Sequence, residues 1–116
     1  DRRGVESVTD YLFGRLDVVV RSMGANLLLA MDTDRSAIYR GSDSPALVLN
    51  RIAEDTAERH HIPFLDLQPV FAADWQREHR RFDFDADGHW NEHGHAVAAG
   101  AIAHALRALS GQFELD

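Results

Sequence analysis

The run Ala25-Asn26-Leu27-Leu28-Leu29-Ala30-Met31 most constrains what this chain can fold into. Its apolar residues fall on both faces of an extended segment. A strand of that kind belongs inside a parallel sheet covered by helices, because either face left in water would expose leucine. Ile62–Leu67 reads as a second strand, with Pro63 near its start where a missing N–H is tolerable. Between the two, Ser44 offers an N-cap hydroxyl and Pro45 suits the first helical position. Ala46–Arg59 follows, with Leu49, Ile52, Ala53 and Ala57 on one side and His60 and His61 at its end. Strand, helix, strand predicts a right-handed β-α-β crossover.

Helices flank this unit. Val5, Val8, Leu12, Leu16, Val19, Val20 and Met23 recur at helical spacing, and Gly24 closes the run as a C-cap. Asp32-Thr33-Asp34 marks the carboxyl end of the first strand. Residues 68–88 predict a long polar loop, with at most a short helix around Trp75. Asn91 caps a final helix with Val97, Ala98, Ala101, Ile102, Ala105, Leu106 and Leu109 on one face, ended by Gly111.

The fold class this predicts is α/β, a three-layer α/β/α arrangement around a parallel sheet. Two strands make a poor sheet alone, since an inner strand needs neighbours on both edges. Residues 1–116 are therefore expected to be the C-terminal part of one larger domain. Residues preceding Asp1, or a self-associating second copy, would complete the sheet. The start at Asp1 and the lack of a signal peptide fit that expectation.

Composition narrows the function. A net charge of −7 argues against a nucleic-acid surface, which needs a basic stripe. No apolar run approaches the roughly 20 residues of a membrane span. Cysteine is absent, which removes disulfides and thiolate chemistry and leaves the compartment open. All 12 basic residues are arginine, so a Schiff-base lysine is excluded too.

The chemistry concentrates in residues 83–95. Asp87 and His89 are one residue apart at the mouth of the last helix, with Gly88 allowing a tight turn between them. A carboxylate that orients a histidine makes it a useful general base. The same residues support other readings. Asp83, Asp85 and Asp87 followed by Gly88 match the first half of a calcium loop, although the twelfth position is Gly94 and not glutamate. His89, His93 and His95 have zinc-like spacing but lack ligands from a second segment. An acidic turn before a helix also stabilises that helix through its dipole.

The block Asp87-Gly88-His89-Trp90-Asn91, with Gly94, His95, Ala98, Ala99 and Ile102, resembles the C-terminal signature of the SGNH (GDSL-like) hydrolases. The resemblance extends through Phe64–Phe71 and Leu27–Met31, and so covers essentially the whole chain. It implies ester hydrolysis or acyl transfer without a metal or organic cofactor. His89 would be the base and Asp87 its orienting partner, with His95 packed beside the loop and His93 merely exposed. The substrate would be an acyl ester or an acylated carbohydrate.

The commoner family spacing places two residues between acid and histidine, whereas here only Gly88 intervenes between Asp87 and His89, and Asp85 is the fallback for the acid. The Asp-x-His-Trp arrangement is similar to that of SGNH-like polysaccharide O-acetyltransferases and acetylesterases. The family's Gly-Asp-Ser block and its glycine and asparagine oxyanion donors are absent from the sequence. Ser42 and Ser44 lie in a loop before a helix and not at a strand-to-helix elbow. The chain alone is therefore expected to be inactive.

Overall fold

A computed structural model of the protein describes residues 1–111. In chain order the elements are α1 (Arg2–Ser22), β1 (Leu29–Met31), α2 (Arg35–Arg40), α3 (Leu47–Arg59), β2 (Phe64–Asp66), α4 (Leu67–Glu78), β3 (Asp83–Phe84), β4 (Asp87–Trp90) and α5 (Glu92–Ser110). These residues form two compact units. One comprises Asp1–Met31 and Pro45–Leu65; the other comprises Asp32–Ser44 and the chain from Asp66 onward.

In the first unit, the Asp1 carboxylate caps α1 by accepting from Arg3 N–H. Gly24 follows the helix at φ 68°, a left-handed conformation that glycine adopts without a Cβ penalty. The helix forms as predicted, but none of its residues is buried, and Val8 and Leu12 are more than half exposed. It meets α3, where Asp10 pairs with Arg59 at 3.4 Å and with His60 at 3.0 Å. Gly14 leaves room for the His60 ring; a Cβ there would lie 3.1 Å from its Cε1.

Helix α3 starts two residues after Pro45, the predicted first helical position, with no side-chain cap. Ser44 is drawn away by the Asp34 carboxylate, to which its hydroxyl donates. Ile52, Ala53 and Ala57 are buried as expected, whereas Leu49 is exposed. The two predicted strands pair with each other, Leu29 N–H donating to the Pro63 carbonyl at 3.0 Å. Each is only three residues long, and β1 is half-covered at Leu29 and Met31 but open at Ala30. Among the described residues this sheet has two strands.

The second unit departs most from the sequence reading. Residues 68–88 are not a long loop, because α4 fills the first half and a hairpin the second. Asp66 caps α4 by accepting from Gln68 N–H at 3.0 Å, and Pro69 sits in the first turn where proline is tolerated. Leu67 and Phe71 bury one side of the helix, but so does Asp74, which interrupts the apolar stripe. The six-residue α2 was not anticipated either. Asp34 caps it by accepting from Ala37 N–H at 3.0 Å, and Gly41 ends it at φ 60°.

Ala37, Ile38, Leu67, Phe71, Phe82 and Ala98 form the core of this unit. The Phe71 and Phe82 rings lie 4.5 Å apart, and Tyr39 stacks on Phe82. Helix α5 packs on α4. Its predicted cap holds, with the Asn91 side chain accepting from Gly94 N–H at 2.9 Å. No helix among the described residues is long and apolar enough to cross a membrane.

Candidate active site

The candidate residues sit on the β3–β4 hairpin, which turns through Asp85 and Ala86. Phe84 pairs with Asp87, but the next pair is Asp83 with Trp90. Gly88 and His89 are therefore left over on β4, and the extra residues bulge the strand. Bulges re-aim side chains next to functional sites, and this one carries the histidine. Asn91 anchors the base of the hairpin: its Nδ2 donates to the Arg81 and Asp83 carbonyls at 2.9 and 3.0 Å. Its N–H donates to the Phe82 carbonyl at 2.8 Å.

Asp87 meets His89 twice through one oxygen. Oδ1 accepts from the His89 backbone N–H at 2.9 Å and from the ring Nδ1. A carboxylate only accepts, so Nδ1 carries the proton and Nε2 is left as the basic nitrogen. The His89 N–H, then its ring, hold the Asp87 carboxyl below its ordinary value of 3.8. Both side chains are well exposed. Asp85 lies at the exposed turn, and Asp87 is the acid that the fold brings to His89.

A cleft of about 290 Å³ opens beside the pair, lined by Asp32, Arg35, Gly88, His89, Trp90 and His95. Arg35, which drew no attention in the sequence, is central to it. Its Nη1 donates to both Asp32 oxygens at 3.0 and 3.1 Å, and its Nη2 donates to the Gly88 carbonyl at 2.5 Å. The Trp90 indole N–H donates to Asp32 Oδ1 at 3.2 Å, and His95 packs edge-on against Trp90 as expected. Ser42 and Ser44 are not among the lining residues, and Ser44 is buried against Asp34.

His93 is not the exposed residue expected. Its side chain is only 12% exposed, and Nε2 meets Asp74 Oδ2 at 2.6 Å. Its ring stacks on Phe82, and Arg77 donates to the other Asp74 oxygen at 2.9 Å. This second Asp–His pair ties α4 to α5. The three histidines of the zinc reading thus face three different partners, Asp87, Asp74 and Trp90. Of the calcium-loop acids, Asp83 is taken by Tyr39, Arg81 and Arg35, while Asp87 is taken by His89. Among the described residues no three His, Asp or Glu side chains converge as a metal site.

The family described as SGNH hydrolase-like domain, acetyltransferase AlgX, matches residues 8–115. The chain belongs to this family. Membership in the AlgX-type SGNH family carries an α/β fold and, at family level, hydrolysis or transfer of an acyl group. No curated protein and no solved structure matches the chain.

Proposed function

We propose that this chain carries the acid–base pair of a Ser–His–Asp acyl-transfer centre whose reaction is acetylation of a carbohydrate hydroxyl. The observation that carries the reading is the double contact of Asp87 with His89, which leaves Nε2 as the free base. Membership in a family described by an acetyltransferase supports the reaction class. His89 takes the proton of a serine hydroxyl as that oxygen attacks the acetyl carbonyl carbon. The proton then passes to the departing alkoxide, leaving an acetyl-serine ester. In the second half His89 takes the proton of the acceptor hydroxyl, whose oxygen attacks the ester carbonyl. The acetyl group moves to the acceptor, and the proton returns to serine.

In this reading the serine and the oxyanion donors come from residues outside these 116. The chain is one part of a single SGNH-like domain, and β1 and β2 belong to a wider parallel sheet between helical layers. Ester hydrolysis is the second reading, favoured by the 88% exposure of the His89 side chain, which opens Nε2 to water.

The test uses the complete protein with a fluorophosphonate probe and p-nitrophenyl acetate as donor. A serine adduct and acetate release, both lost in His89→Ala with folding retained, are expected. Normal turnover in that variant defeats the assignment. Acetyl transfer to added oligosaccharide separates the two readings, since a hydrolase releases acetate alone.

A further inference from the structure

We infer that Arg35, through its pairing with Asp32, is the positioning residue that holds His89 in register with Asp87. The inference rests on the acid–base role proposed for that pair and adds to it a device outside the hairpin. The Gly88 carbonyl and the His89 N–H belong to one peptide unit, which is planar and does not twist freely. Arg35 holds the oxygen of that plane at 2.5 Å, and Asp87 holds its N–H at 2.9 Å. The plane is therefore pinned at both ends. Its orientation decides whether Asp87 Oδ1 can serve the His89 ring as well as its backbone.

The residue after the histidine is tied to the same clamp. Trp90 donates to Asp32 Oδ1, the oxygen that also accepts from Arg35 Nη1. Gly88 and Trp90, which flank His89, are thus both tethered to the Arg35–Asp32 pair. The bulged backbone between them cannot rely on the β3 ladder, because its two extra residues have no partner there.

A substrate-binding role for Arg35 fits the charges less well. Two carboxylates flank the single guanidinium: Asp32 in direct contact and Asp83 with Oδ2 3.6 Å from Nε. The side chain is only 14% exposed, so no surplus positive charge faces the cleft for an anionic ligand. A fork of donors that reaches a carboxylate and a carbonyl at once suits a clamp, and lysine cannot reproduce it.

The experiment compares Arg35→Ala and Arg35→Lys with the parent in the complete protein, using p-nitrophenyl acetate turnover and hydrogen exchange at the His89 amide. Misplacing a reacting group by about 1 Å costs on the order of 100-fold. Both variants are therefore expected to lose about 10- to 100-fold in kcat with KM nearly unchanged. Guanidinium ion added to the alanine variant should restore part of kcat, and the His89 amide should exchange faster than in the parent. An unchanged kcat, a loss confined to KM, or an unaltered His89 amide overturns the inference. His89→Ala run alongside keeps the two claims apart. Activity in that variant removes the acid–base reading, whereas an inactive His89→Ala beside a fully active Arg35→Ala removes only the clamp.

Discussion

At the scale of single residues, the shared oxygen of Asp87 has a consequence for mutagenesis. Both contacts to His89 use Oδ1, so the carbonyl oxygen of an asparagine can accept both and keep the ring tautomer. Under the proposed acid–base role, Asp87→Asn removes the charge that would stabilise the imidazolium, whereas Asp87→Ala removes the orientation too. In the complete protein the asparagine variant should lose about 10-fold in kcat, the difference between a charged and a neutral acceptor. The alanine variant should lose about 10²- to 10⁴-fold, the scale of general-base catalysis. Steady-state kinetics on an acetyl ester checks this; equal losses would contradict a shared oxygen. The pair was legible in the sequence because its geometry is local, an acid two residues before a histidine. The Asn91 cap was legible for the same reason. Arg35 was not, because it reaches a carbonyl 53 residues away, and His93 was misread because Asp74 lies 19 residues before it.

At the scale of elements, the entry of α5 depends on how closely its first turn approaches the hairpin. A Cβ on Gly94 would lie 2.3 Å from the Phe82 carbonyl oxygen, a backbone atom whose own partner is Asn91 N–H. Gly100, in the same helix, would meet nothing within 4 Å. Alanine is favoured over glycine in a helix interior by about 1 kcal/mol. Gly100→Ala should therefore stabilise the protein by about 0.5–1 kcal/mol. Gly94→Ala should have the opposite sign and cost about 1–3 kcal/mol through overpacking. Urea denaturation of the two variants measures the contrast, and a stabilising Gly94→Ala would show that α5 does not sit against Phe82. Helices α1 and α5 were readable from apolar spacing and caps, and α3 from its spacing alone, since the Ser44 cap read from the sequence does not form. Helix α4 was legible only as a short helix around Trp75, because a buried acid, Asp74, satisfied by Arg77 and His93, interrupts the apolar stripe of Leu67 and Phe71.

At the scale of the whole molecule, spacing tells which residues share a helix face but not what covers that face. The α1 stripe is the clearest case, a regular apolar pattern with no buried member. Charge is more directly readable, and in a chain of net charge −7 the acid limb of stability has a defined sign. Asp10, Asp34 and Asp87 all have carboxyls held below 3.8. For Asp34 the main cause is the Ser44 hydroxyl, then the Ala37 N–H at the start of α2. A depressed folded value means stability that is present above the ordinary carboxylate range and is lost as pH falls through the folded value. Asp34→Asn isolates this at one site, because asparagine caps a helix as well as aspartate does while lacking the charge. The variant should be less stable than the parent at pH 7, by up to about 1 kcal/mol for a charged against a neutral hydrogen bond. That gap should narrow as pH falls below 3.8 and close at the lower value where the folded parent carboxyl takes up its proton. Denaturation midpoints of the two proteins at pH 7 and pH 3 decide it. A gap that stays constant across that range would mean that Asp34 serves α2 through its shape alone and that its charge contributes nothing to the fold.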